Sequence, residues 1–150
     1  MSLTGDVERM TEREQIIECV TTLFVSIDHK DWDAVRSCFT DKVLFNTTLT
    51  EGNPEVLSSD QIVRDWKEAL DCLDAIHHQL GNFLVTFHEK EVIVFCYGIA
   101  YHYLPNRSNR NTKLFVGNYD LRLVPQDSGW KINLFTFTSK FVAGNLKLGE

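Results

Sequence analysis

The run EVIVFCYGIAYHY, from Glu91 to Tyr103, decides the architecture. Side chains alternate across a strand. Val94, Cys96, Gly98, Ala100 and His102 therefore share one face, against Phe95, Tyr97, Ile99, Tyr101 and Tyr103 on the other. The first face is small and apolar, as a cavity lining is, and the second is broad and aromatic. The flanking stretches His78–His88, Lys113–Val124 and Trp130–Phe141 have the same β-branched and aromatic texture. Their connections are short and polar, at Glu89-Lys90, Pro105 to Asn111 and Pro125 to Gly129. Short links between consecutive strands dictate antiparallel hairpins. Strands well beyond the usual length of about 5–6 residues must twist or curl.

Upstream of this region the period changes. Thr11-Glu12-Arg13-Glu14 has the form of a capping box. Ile16, Ile17, Val20, Leu23, Phe24 and Ile27 then recur at helical spacing to about Asp28 or His29. A shorter helix is expected from Trp32 to Phe39, with Asp31 or Lys30 near its start, and a first strand from Lys42 to Thr48. Glu51-Gly52-Asn53-Pro54 breaks the chain, so the stretch that follows is expected as loop. Ser58 to Gln61 caps a third helix bearing Ile62, Val63, Trp66, Leu70 and Leu73. Helices first and a meander after them describe one α+β domain over residues 1–150. It is a curved antiparallel sheet that the N-terminal helices close into a cone-shaped pocket.

Composition narrows the function classes. A chain of 150 residues with 43% hydrophobic and 24% charged residues is the size of one folded domain, with too much apolar surface for disorder. The balance of 15 basic against 21 acidic residues disfavours nucleic acid, whose partners carry a basic surplus. No apolar stretch approaches the roughly 20 residues of a bilayer span, so no membrane association is expected. Met1 to Glu14 is polar and acidic rather than leader-like, so the expected address is the cytoplasm. Cys19, Cys38, Cys72 and Cys96 form no C-x-x-C pair and sit in periodic apolar segments. They read as buried free thiols of a reducing compartment.

Three residues could carry chemistry. Asp28 lies four residues after Phe24, beside the apolar stripe of the first helix. A carboxylate there works against the helix dipole and needs a donor if buried. It either caps the Asp31-Trp32 start of the next helix or pairs with something across the fold. His77 and His78 point to opposite faces, so one of them enters the cone, along with Leu80, Asn82, Leu84 and Thr86 if His78 does. A histidine on a mostly apolar cavity, with a helix carboxylate at hand, fits a general base; a solvent-facing pair at a strand end is the other reading. His102 shares the cavity face, and His29 and His88 read as surface residues. A metal site would need Asp28 as third ligand beside His78 and His102, and no metal is expected. Phosphate-binding, nucleophile-elbow and zinc-protease motifs do not occur.

Ile27-Asp28-His29-Lys30-Asp31-Trp32, His78-Gln79-Leu80-Gly81-Asn82 and Tyr101-His102 resemble scytalone dehydratase and the SnoaL-like proteins of the NTF2-like (cystatin-like) superfamily. The Asp–His part also resembles hexachlorocyclohexane dehydrochlorinase. The resemblance implies His78 as base, Asp28 as the carboxylate orienting it, and His102 as a second histidine holding substrate or water. It departs at two places: Ile27 stands where the dehydratase has a tyrosine, and Asn46 falls near a second one. Tyr119 falls near a pocket asparagine and offers a hydroxyl, so Asn46 and Tyr119 are the substrate-binding candidates.

The implied activity is a cofactor-free lyase or isomerase acting on a small apolar cyclic or aromatic compound. The alternatives are a non-catalytic small-ligand binder, or the small subunit of a ring-hydroxylating dioxygenase with a large partner chain. An open sheet face in this architecture packs on another copy. Phe95, Tyr97, Tyr101, Phe135 and Phe137 are expected on that face, giving a homodimer or homotrimer.

Overall fold

The structure is a computed structural model describing residues 3–47, 53–127 and 129–150. Helix α1 (Leu3–Asp28) leads through α2 (Trp32–Ser37) into strands β1 (Phe39–Thr47) and β2 (Glu55–Ser58). Helix α3 (Ser59–Leu70) follows, and then β3 (Ala75–Phe87), β4 (Val92–Tyr103), β5 (Thr112–Gln126) and β6 (Gly129–Gly144). All six strands form one curved, unclosed sheet in the order β2-β1-β6-β5-β4-β3. Among the described residues no helix is long and apolar enough to cross a membrane.

The α1 stripe of Ile16, Val20, Leu23, Phe24 and Ile27 is buried against the concave face of the sheet. There it meets Val94, Cys96, Tyr119, Leu121, Phe135 and Phe137. Burying one such side chain stabilises by about 1.5–3 kcal/mol, so this stripe, rather than helix propensity, fixes α1 to the sheet. Val35 of α2 and Ile62 of α3 extend the same core. Ser58 caps α3 as expected, accepting from the Gln61 amide at 3.1 Å.

Several expectations need correction. The Thr11–Glu14 pattern lies inside α1, which starts at Leu3; a threonine costs an interior helix position well under about 1 kcal/mol, so the same pattern fits there. Helix α2 stops at Ser37 because Phe39 already opens β1. The stretch after Pro54, expected as loop, is β2, an edge strand paired antiparallel to β1. Thr48, Glu51 and Gly52 lie outside the described residues. The sheet is not wholly antiparallel: β1 runs parallel to β6, with Phe45 opposite Phe135. Phe135 and Phe137 belong to the concave core and are 3% and 5% exposed, so they are not on the outer face. Cys72 is exposed, and only Cys96 of the four free thiols is fully buried.

Strand β3 changes face midway. Its register to β4 shifts between Gly81 and Leu84, and Asn82 adopts φ 57°. A residue inserted this way is a bulge, and asparagine tolerates the left-handed conformation it requires. Beyond it Phe83 and Val85 pack on the core, whereas Leu84 is 66% exposed and Asn82 and Thr86 face out. Strict alternation from His78 therefore holds only as far as Leu80.

Candidate active site

The end of α1 is set by a backbone lock. The Asp31 amide donates to the Ser26 carbonyl at 2.9 Å, and the Lys30 amide donates to the Ile27 carbonyl at 2.9 Å. Lys30 between them has φ 55°. This is the Schellman arrangement, with a lysine in the position that usually takes glycine. The Lys30 side chain donates to the backbone carbonyls of Asp71 and Leu73, tying this corner to the segment before β3. Asp31, not Asp28, caps α2, accepting from the Ala34 amide at 3.2 Å. Asp28 is left for another partner.

That partner is His78. Oδ1 of Asp28 lies 2.6 Å from Nδ1 of His78, and Oδ2 accepts from the His78 backbone amide at 2.9 Å. A carboxylate has no proton to donate, so Nδ1 carries the shared hydrogen and Nε2 is the basic nitrogen of the neutral ring. Both side chains are nearly enclosed, at 10% and 15% exposure for His78 and Asp28. A carboxylate at a helix C-terminus loses roughly 0.3–1 kcal/mol to the dipole. Hydrogen bonds to a charged acceptor each return roughly 1.5–3 kcal/mol, so the arrangement is favourable.

His78 opens onto a cavity of about 190 Å³. Phe24 packs on the His78 ring with centroids 5.1 Å apart, and on Tyr119 at 4.7 Å. Phe135 and Phe137 form the far wall, Ala100 and Phe115 the sheet floor, and Trp66 and Leu70 the α3 side. His102 joins the lining two positions along β4 from Ala100, which pairs with His78. His78, His102 and Tyr119 thus line one cavity, with Asp28 hydrogen-bonded to His78. Asn46 does not line the cavity: Val43 and Phe45 turn inward from β1, and Thr47 continues that face. His77 is exposed on the other side of β3, and His29 and His88 are exposed at element ends.

Electrostatics separate the polar groups. Burial, reinforced by His78 and Lys113 and opposed by Asp28, pushes His102 down to about 4, so its imidazole is neutral at pH 7. Burial, with smaller contributions from Cys96 and Asp28, holds the Tyr119 phenol above its ordinary value and therefore protonated. The cavity offers two neutral hydrogen-bonding groups beside the carboxylate–imidazole pair. Burial also raises the Cys38 thiol to about 11 and the Cys96 thiol to about 12, which removes both as nucleophiles at neutral pH. Among the described residues no three His, Cys, Asp or Glu side chains converge as metal ligands.

The depressed value of His102 has a consequence for stability. An unfolded histidine binds its proton near pH 6.5, whereas folded His102 binds one only near pH 4. Between those values the unfolded chain holds more protons, so stability falls as pH drops from 6.5 to 4. His102→Asn is expected to reduce this loss by about 2 kcal/mol, measured as urea midpoints at pH 6.5 and 4.0. An equal loss in both proteins would assign the acid sensitivity elsewhere.

Sequence reading missed Thr47, Trp66, Phe135 and Phe137 as lining residues. Trp66 is legible in the sequence only as part of an amphipathic stripe, and the expectation of Phe135 and Phe137 on the outer face hides their place in the lining.

Residues 8–136 match a family model described as the SnoaL-like domain. No curated protein matches the chain in sequence. Among solved structures, the Kfla4162 protein of Kribbella flavida superposes with a TM-score of 0.85 at 22% identity, over 90% of this chain and 95% of that one. A candidate scytalone dehydratase of Novosphingobium aromaticivorans gives 0.77 at 15% identity, over 90% and 88%. Hexachlorocyclohexane dehydrochlorinase LinA-type3 of Novosphingobium barchaimii gives 0.75 at 14% identity, over 95% and 96%. At these identities the likeness shows the fold, which is NTF2-like.

Proposed function

This chain belongs to the SnoaL-like domain family, and from that premise we propose that it is a cofactor-free lyase or isomerase acting on a small, mostly apolar cyclic or aromatic compound. The observation that carries the reading is the 2.6 Å contact between Asp28 Oδ1 and His78 Nδ1 at the edge of an apolar cavity. Nε2 of His78 takes a proton from a carbon next to an electron-withdrawing group. The C–H electron pair becomes the new double bond, and a leaving group departs with its own pair. In an isomerisation the same proton returns to a different carbon. Asp28 fixes the tautomer and stabilises the imidazolium as it forms. The aromatic walls exclude water, which strengthens that pairing. His102 and Tyr119 are neutral hydrogen-bond partners for the substrate's polar group.

The experiment is a panel of small cyclic alcohols, ketones and halides, followed by absorbance for a new double bond and by deuterium uptake from D2O at carbon. Product or exchange from at least one compound is expected. Tight binders with neither would move the reading to a non-catalytic ligand-binding protein. One observation favours that second reading: the resemblance puts Ile27 in the place of one dehydratase tyrosine and a second near Asn46, and Asn46 does not line the cavity.

The outer face carries Tyr97, Ile99, Tyr101 and Tyr103 of β4 and Phe141 of β6, each 40% exposed or more. A homodimer or homotrimer through this face is the expected assembly, measured as mass by light scattering.

A further inference from the structure

Gly98 and Gly117 stand opposite each other across β4 and β5 on the concave face, between the pairs Cys96–Tyr119 and Ala100–Phe115. A Cβ built on Gly98 would lie 2.2 Å from Cε2 and 2.8 Å from Cδ2 of Tyr119, and 3.2 Å from Leu80 Cδ2. One built on Gly117 would lie 2.2 Å from the Thr138 carbonyl oxygen and 2.8 Å from the Phe137 ring. Neither glycine has a positive φ. The requirement is for space: two aromatic rings lie against bare backbone.

The two positions differ in what could yield. At Gly117 the obstacle is backbone, so a side chain there must displace β6 itself. At Gly98 the obstacle is the Tyr119 ring, and restoring an ordinary contact of about 3.5 Å moves that ring by more than an ångström. Phe24, Phe135 and Phe137 already pack on Tyr119 at 4.7, 5.6 and 4.8 Å between centroids. The space open to the ring is the cavity of about 190 Å³.

We propose that Gly98 determines how large a guest the cavity accepts, because its missing side chain lets Tyr119 lie against the sheet floor instead of filling the cavity. An apolar cavity near 150 Å³ holds a benzene ring or xenon. With Tyr119 close against Gly98, the space fits one six-membered ring. With it raised, that fit is lost. Gly98 is a positioning residue acting through Tyr119. The inference rests on the reading of this cavity as the substrate site.

The test uses xenon-pressurised crystals and phenol titrations of the wild type, Gly98→Ala and the double variant Gly98→Ala/Tyr119→Val. Xenon is expected in the wild-type cavity. In Gly98→Ala the Tyr119 ring should be displaced inward, with xenon occupancy reduced at least threefold and phenol affinity at least tenfold. The double variant should regain the xenon site and a thermal midpoint above that of Gly98→Ala. Should Gly98→Ala fail to fold, recovery of folding in the double variant supports the proposal. A Tyr119 ring that stays in place or swings away from the cavity overturns it, as does a double variant no more stable than Gly98→Ala. Xenon occupancy does not depend on turnover. A failed proton-abstraction reading and a failed Gly98 proposal therefore give different results.

Discussion

His78→Ala is expected to lower turnover by about 10²–10⁴ for whichever compound of the elimination panel proves to be a substrate, the range general-base assistance supplies. The substitution removes Nε2, the nitrogen proposed to take the proton, while the protein stays folded. Asp28 then keeps one of its two hydrogen bonds, because Oδ2 still accepts from the backbone amide at position 78. The lost bond at Oδ1 and the lost ring contact with Phe24 cost roughly 2–4 kcal/mol, which a domain stable by about 5–15 kcal/mol tolerates. Added imidazole should restore part of the rate, since the vacated space lies between Asp28 and the cavity. A scaffolding histidine would show no such rescue. Turnover within tenfold of wild type, or a rate indifferent to imidazole with the chain folded, would remove His78 as the base.

The two histidines and the aspartate were not equally legible. Strand β4 follows strict alternation without a bulge, so its cavity face from Val94 to His102 could be read residue by residue. Strand β3 obeys the same rule only to Leu80, because the left-handed Asn82 adds a residue to the strand and exchanges the faces beyond it. A bulge depends on what the partner strand presents, and the local sequence around Gly81-Asn82 does not contain that. The β6 phenylalanines failed for a related reason. Which face Phe135 and Phe137 occupy depends on the register to β5, which itself shifts between Arg122 and Leu123. Strand β2 and the parallel pairing of β1 with β6 are long-range choices of the same kind.

Asp28 marks the boundary between local and distant information. From spacing alone it could cap α2 or pair across the fold, and the local option had the shorter path. Asp31 takes the cap because the chain reverses at Lys30, which leaves the Asp28 side chain on the sheet side of the corner. Its partner arrives 50 residues later, on a strand whose start is set by the Lys30 bonds to Asp71 and Leu73. The resemblance to dehydratases supplied the pairing that spacing could not.

Asp28→Asn is the sharper test of that pairing, since it changes one atom and leaves the shape intact. The expected result is a loss of about 10²–10⁴ in turnover, the range of general-base assistance, with stability nearly unchanged; the same change to the orienting aspartate of a serine protease triad costs about 10⁴. The reason lies in the two bonds that Asp28 makes. Both of its oxygens accept, one from the His78 amide and one from Nδ1. Asparagine has one acceptor and one donor group, and the backbone amide can only donate. The side-chain oxygen must therefore stay with the amide, which turns the NH2 toward Nδ1. Nδ1 then has to accept, the ring proton moves to Nε2, and the nitrogen facing the substrate becomes a donor. The imidazole keeps its place and its packing on Phe24 but can no longer take a proton. Asp28→Ala is a different perturbation: it frees the ring to rotate and leaves the amide of His78 without its acceptor, so it should cost stability and lose less rate than asparagine if free rotamers regain the correct tautomer. The order asparagine below alanine in rate, with alanine below asparagine in stability, is peculiar to a carboxylate acting through the tautomer. The reverse order in rate would leave Asp28 a structural anchor of β3.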